Sequence, residues 1–318
     1  MALNIAYPQE KSRPVEGRRS SELTRQFVEF IDRNLKIVFP VPLLVTLFLL
    51  IIFPLIYTAY LSFHTWGLSA NRKPDFVWFT NYVRIFFHDP RFWHSVLITM
   101  YYSFLAVGTE IVLGTAIALV LNRKFAGMKI VRSIFILPMA ATPAAISLIW
   151  TMMFHPDIGV VNYLMTRFHL PALVWLGHPR SALFAIVMVD VWMFTPFVVL
   201  VVLAGLHALP REPYEAAMVD GASPGQTLWY LTLPFLKPTI IVALIFRLVQ
   251  ALKTFDIIFI MTEGGPANAT ETLNLYTFKR MFMYYKGGYS SALALILLSV
   301  VLVVNIILIR LRKREWSY

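Results

Sequence analysis

Five ionisable side chains interrupt the long apolar runs of this sequence: Glu110, Asp190, Arg247, Lys253 and Asp256. A charge in such surroundings is costly unless it pairs or lines a watery path, so each is a functional candidate. Arg247, Gln250, Lys253 and Asp256 recur at every third position, which on a helix makes one slowly rotating stripe. Lys253 and Asp256 would then share a face as an internal ion pair. Asp190, Trp192 and Thr195 sit together in another apolar run, beside Pro196, which can open the backbone locally. Charges, a carboxamide, a hydroxyl and a flat ring together can bind a polar solute. The plainer reading is that Arg247, Lys253, Asp190 and Asp256 are pairs that hold helices together. Motif-borne catalysis has little to stand on: His-Glu-x-x-His, Gly-x-Ser-x-Gly and a P-loop are all absent. The histidines are scattered, and His155-Pro-Asp157 reads as a loop. There are no cysteines, which excludes disulfides, thiolate-ligated zinc and thiol catalysis.

The elements that must position these residues are membrane spans. The chain has 318 residues, 58% of them hydrophobic and 14% charged. A soluble domain is about 45–50% apolar and about 25% charged. Six segments are long and apolar enough to cross a bilayer: about 37–63, 95–121, 131–154, 182–209, 239–261 and 289–309. The fold class is therefore an all-α integral membrane protein. Residues 1–36 form an uncleaved polar tail, 37–310 the transmembrane domain and 311–318 a basic tail. Within the first tail, Ser21 to Lys36 has the pattern of either a surface amphipathic helix or a loose leader.

Basic residues collect in the N-terminal tail, in the turn with Arg123, Lys124, Lys129 and Arg132, and at Arg310, Arg312, Lys313 and Arg314. With six spans these lie on one side, and the positive-inside rule makes that side the cytoplasm, with both termini there. The net charge of +11 is thus a record of topology and not a nucleic-acid surface. Tyr57, Tyr60, Trp66, Trp78, Phe79 and Trp93 fall at the outer ends of the first two spans, where aromatic rings anchor at headgroup level. Pro138, Pro143 and Pro196 fit kinks or a bent pathway equally well.

Between the fourth and fifth spans lies a cytoplasmic segment, residues 210–234, that reads as helix, stop and helix. Pro213 suits a first helical turn, and Glu215, Ala216, Ala217 and Met218 favour helix. Gly221 can take a left-handed stop. Ser223, Pro224 and Gln226 restart a helix with a capping box. The small residues Ala216 and Ala217 leave a shallow face, with Glu215 and Asp220 near it.

This segment resembles the signature of permease subunits in binding-protein-dependent ATP-binding-cassette importers. The signature runs Glu-Ala-Ala, three residues, Gly, nine residues, Ile-x-Leu-Pro. Here it reads Glu215-Ala216-Ala217, Gly221 and Leu231-Thr232-Leu233-Pro234, with Leu231 in place of Ile. The stretch from Phe246 to Asp256 and the outer-loop run from Met261 to Thr272 are similar to the carbohydrate branch, in particular the first permease subunit of the maltose and glycerol-3-phosphate type. That family often has an acidic residue where Gln250 stands.

The resemblance implies the following expectations. A second permease subunit would complete the pathway, and two ATPase subunits would hold the ATP and magnesium, with no cofactor in this chain. Glu215, Ala216, Ala217, Asp220 and Gly221 would couple to an ATPase as a coupling helix. An extracytoplasmic sugar-binding protein would meet the loop of Gly264, Gly265, Pro266 and Asn268. Asp190, Trp192, Thr195, Arg247, Gln250, Lys253 and Asp256 would line the path of a sugar across a bacterial inner membrane. An ion-gradient-driven secondary transporter would use the same intramembrane charges, but the repeats common in that class are not visible.

Overall fold

The computed structural model describes residues 39–67, 73–122 and 127–315, together with Asn34 and Lys36. The remainder of the expected 1–36 tail, and Arg123 and Lys124 of the basic turn, lie outside the described residues. In chain order come α1 (Val41–Ser62), β1 (His64–Thr65) paired antiparallel with β2 (Asp75–Phe76), α2 (Thr80–His88), α3 (Pro90–Leu121), α4 (Met128–Ala140) and α5 (Pro143–Met153). Then follow α6 (Val160–Arg167), α7 (Pro179–His207), α8 (Glu212–Val219), α9 (Pro224–Leu252), α10 (Asp256–Thr262), α11 (Leu273–Phe278) and α12 (Gly287–Glu315).

Five of these helices, α1, α3, α7, α9 and α12, are each long and apolar enough to cross a membrane. The expected third span is the bent pair α4 and α5, turned through 96° at the break. The physical reason is Pro143, which pushes Thr142 out of the helical region to φ −70 and ψ 138. Counting that pair as one gives the expected six. Pro196 behaves differently: α7 runs through it without interruption.

Residues to Tyr57 and residues from Thr58 onward form two compact units. None of the most apolar stretch of α1 is buried. In the second unit α7 is the central helix, with 61% of its most apolar stretch buried. Gly114 of α3 lets these two spans approach closely, since a Cβ there would lie 2.6 Å from the Val198 side chain. Farther along α7, Gly205 stands in the same relation to Thr239 of α9, at 2.7 Å. Tyr102, Ala106 and Val107 of α3 and Ala185, Ile186, Val189 and Met193 of α7 share one core with Ile257 and Ile258 of α10. A second core joins Ile85, Phe92, Leu273 and Tyr276 to Ala292 and Leu293 of α12.

The fifth span differs most from its expected bounds. It occupies 224–252 rather than 239–261. It starts directly from the restart at Ser223 and passes through a wide turn at Leu228–Thr232, just before Pro234, which has no N–H to give the helical ladder. It stops at Leu252, and Asn274 donates to the freed Lys253 carbonyl at 2.7 Å. Lys253 and Asp256 therefore stand on either side of a helix break, and their three-residue spacing does not put them on one face. Among the described residues no ion pair joins them.

Candidate functional site

Three spans meet at Arg247. Its Nε donates to Glu110 Oε2 at 2.5 Å, and Nη2 donates to Glu110 Oε1 at 2.8 Å and to Asp190 Oδ2 at 2.9 Å. Nη1 donates to Gln250 Oε1 at 2.7 Å, and the guanidinium lies 4.0 Å from the Phe194 ring centre. Arg247, Glu110 and Asp190 are all buried. The fork geometry of arginine suits this double engagement, which a lysine could not reproduce. Arg247 and Asp190 are thus interhelical partners, as the plainer reading of the sequence held, and they do not present free charge to a solute. Thr195 is buried as well, with its hydroxyl donating to the Val191 carbonyl of its own helix.

Gln250 and Trp192 remain exposed. Arg247 occupies the Gln250 carbonyl oxygen, which fixes the carboxamide so that its NH2 group is the part left to donate. Trp192 meets Trp150 edge-on at 5.6 Å. Lys253 and Asp256 are exposed beyond the end of α9. Of the expected stripe, Arg247 is buried in the triad, and Gln250, whose carbonyl oxygen it holds, is exposed on the same helix. Glu110, 137 positions before Arg247, is the member that spacing could not assign.

The loop after α10 is tightly folded. Gly264 has φ +83, Gly265–Pro266 is cis, and Glu263, Ala267 and Asn268 have φ of 50, 50 and 62. Thr270 is wholly buried, and its hydroxyl donates to the Gly265 carbonyl at 2.8 Å. The Thr270 hydroxyl is thus spent inside the loop and does not face outward. Arg91 grips Glu271 through Nε at 2.6 Å and Nη2 at 2.7 Å, and Nη2 also donates to Asn268 Oδ1 at 2.9 Å. Lys279 closes on Glu271 at 2.9 Å. Burial alone would raise the Glu271 pKa, but the hydrogen bonds and charges of Arg91 and Lys279 outweigh it and hold the group below its ordinary value. Asp89, the N-cap of α3, accepts from the Arg91 and Phe92 amides and from the hydroxyls of Tyr276 and Tyr289. Those bonds and the nearby Arg280 likewise outweigh burial and keep its pKa low. Burial, reinforced by the hydrogen bond to Asp89, pushes the Tyr276 phenol up to about 12. The sequence offered one local signal here, an Asp before Pro90 at a helix start. Arg91 and Glu271 are 180 positions apart and gave none.

The 210–234 segment has the expected local form. α8 ends at Val219, Gly221 takes φ +75, and Ser223 and Gln226 make both bonds of a capping box. Met218 and Val219 are 71% and 87% exposed, so the turn carries apolar surface that nothing among the described residues covers. Glu215, Asp220 and Gly221 are exposed. Ala216 is exposed and Ala217 half-buried, as a shallow face requires.

Residues 110–316 match the family model of the binding-protein-dependent transport system inner membrane component. The chain belongs to that family. The trehalose/maltose transport system permease protein MalF of Thermococcus litoralis is 39% identical over 85% of this chain and 90% of its own length. The sulfoquinovosyl glycerol transport system permease protein SmoG of Agrobacterium fabrum is 34% identical over 91% and 94%. Among solved structures, the bacterial alginate ABC transporter in complex with an alginate pentasaccharide-bound periplasmic protein superposes with a TM-score of 0.78 at 21% identity, over 91% of this chain and 98% of that one. That likeness shows the fold. This inner membrane component is accordingly a multi-pass membrane protein, and its matched region begins at Glu110 of the triad and includes the 210–234 turn.

Proposed function

We propose that this chain is one permease subunit of an ATP-driven sugar importer of a bacterial inner membrane, forming the translocation pathway with a second permease. The observation that carries the reading is the 210–234 turn. A helix bearing Glu215-Ala216-Ala217, a left-handed stop at Gly221 and a capped restart at Ser223 make a rigid knob with exposed apolar residues. A rigid knob can transmit a push, and a slack linker cannot. In this reading the knob sits in a cleft of one of two ATPase subunits, which hold ATP and magnesium, and both chain termini are cytoplasmic. The relatives named for trehalose/maltose and sulfoquinovosyl glycerol support a sugar or sugar derivative as cargo. A substrate-loaded external binding protein meets the opposite end. Gln250 offers donors and Trp192 a flat face to the sugar. The ion-gradient alternative loses its best groups, because Glu110, Asp190 and Arg247 are spent on one another.

The test is reconstitution of the importer with Glu215→Lys or Gly221→Val in this chain. A β-branched residue at φ +75 carries a penalty of roughly 1–2 kcal/mol and misaims the knob. Uptake falls in both variants while membrane insertion persists. Normal assembly with the ATPase together with normal uptake in both would remove the coupling role.

A further inference from the structure

A cavity of about 390 Å³ lies at the end of the bundle where α2 leads into α3 and α12 begins. That volume is in the range of small-molecule sites, about 300–1,000 Å³. Arg84, Arg280, Lys73 and Lys286 line it, from three segments of the chain, with the Lys286 amide bonded to the Arg280 carbonyl at 2.9 Å. Two carboxylates, Asp75 and Asp89, also line it. Asp89 is saturated by two tyrosine hydroxyls and two backbone amides, with Arg280 3.8 Å away. The balance of the remaining groups is cationic. Among the described residues Arg84 and Lys286 have no ion pair, and both are exposed.

The walls are built. A Cβ on Gly287 would strike the Trp66 ring, and one on Gly288 would strike the His64 carbonyl. The paired glycines therefore let the 64–67 segment lie directly against the start of α12, and the Gly288 amide donates to the Trp66 carbonyl at 3.0 Å. Asn81, buried, ties α2 to the same segment through the Ser62 and His64 carbonyls. Arg280 is held by its Nε bond to the Tyr276 hydroxyl at 2.7 Å and sits 5.7 Å from the Tyr289 ring centre. Trp66 and Tyr289 give the cavity aromatic walls.

We propose that this cavity is a phosphate site. Two guanidinium groups and two ammonium groups from three segments suit a tetrahedral oxyanion, which accepts hydrogen bonds on every side, better than a carboxylate, which accepts along one edge. The aromatic walls and the volume leave room for a glycerol- or sugar-sized group attached to that phosphate. The site stands where spans meet the interface, so the same chemistry is offered by a lipid headgroup and by a free solute phosphate.

The experiment compares the complete importer with a version carrying Arg84→Gln and Lys286→Gln in this chain. Binding of glycerol 1-phosphate is read by calorimetry in detergent, and retention of phosphatidylglycerol by native mass spectrometry from nanodiscs. Both substitutions are at exposed positions outside the packed cores, and gel filtration checks assembly. At least a tenfold loss of glycerol 1-phosphate affinity supports a site open to free phosphate. Loss of retained phosphatidylglycerol, with no binding of the soluble probe by either form, supports a headgroup site. Restoration of binding by Arg84→Lys with Lys286→Arg supports a charge-based site in either case. Equal binding by both forms, or binding of neither probe to the unsubstituted importer, overturns the proposal. So does a defect confined to docking of the external binding protein, which would make these cations a protein contact.

Discussion

Arg247 answers two carboxylates from two other spans, and this sets the consequence of removing it. Arg247→Met would strand Glu110 and Asp190 in a buried environment, where breaking a charge pair costs about 3–5 kcal/mol. The melting temperature in detergent should fall sharply. Adding Glu110→Met and Asp190→Leu should recover most of it, because the apolar trio leaves no charge unpaired. If uptake recovers with stability, the triad is scaffold; if only stability recovers, orienting Gln250 is part of its work. Gln250→Ala and Trp192→Ala should instead impair uptake at limiting sugar and leave assembly intact. Normal uptake by both would move the sugar site to the partner permease. The intramembrane charges were legible as unusual residues, and Arg247 and Asp190 as members of helix-holding pairs whose partners were not assigned. Glu110 could be seen only as a charge in a span, because its partner is set by tertiary packing. Lys253 and Asp256 misled because spacing presumes a continuous helix, and the chain leaves the helix at Leu252. The Asp89 and Glu271 cluster gives a pH prediction. Both folded pKa values lie below the ordinary 3.8 and 4.5, so their contribution is present above those values and is lost as pH falls through the depressed ones. On account of these two groups the melting temperature should therefore not change between pH 7 and 5, where their contribution is fully present, and should lose that contribution below about pH 4. Asp89→Asn with Glu271→Gln should flatten that acid limb; an unchanged limb would assign it to other carboxylates.

Helices read well from local signals and poorly where a distant neighbour decides. Gly221, Ser223 and Gln226 lie within six residues of one another, and their stop and restart follow from their own chemistry. Pro143 announced a break in the third span, but its 96° angle is set by what α4 and α5 pack against. The fifth span ran past Leu252 in the apolar pattern because Ile257, Ile258 and Met261 are also buried, only in a separate helix. The α3–α7 contact makes an element-scale prediction. A side chain at Gly114 would collide with Val198, so Gly114→Val should destabilise by about 1–3 kcal/mol through overpacking. Val198→Ala in the same chain should restore part of that loss, since it vacates the colliding atoms. Independent, additive losses in a double-mutant cycle would show that these two positions do not constrain the helix pair.

For the whole molecule, orientation is the feature on which every functional assignment depends, and charge placement is what sets the expectation for it. Arg132 donates to the Leu121 carbonyl, so one cation of the basic turn helps close the end of α3. The chain contains no cysteine, so a single introduced thiol reports its own side of the membrane. Gly225 is exposed in the 210–234 turn and a Cβ there meets nothing within 4 Å, which makes Gly225→Cys structurally mild. Asp157 is exposed between α5 and α6, one crossing away by the six-span count. In intact cells whose outer barrier is opened, a membrane-impermeant maleimide should label Asp157→Cys directly and Gly225→Cys only after the inner membrane is permeabilised. The loop at 263–268 should label with Asp157, and Ala267 is the position to use, because it is exposed while Asn268 is held by Arg91. A photocrosslinker attached at Ala267→Cys should then capture the substrate-loaded binding protein. Labelling of Gly225→Cys from outside would invert the protein and with it the coupling assignment. Protection of Asp157→Cys together with outside labelling of Gly225→Cys would also follow if the bent α4–α5 pair did not cross, and labelling of both from one side would mean that α7, the span between them, does not cross; either result conflicts with the importer reading.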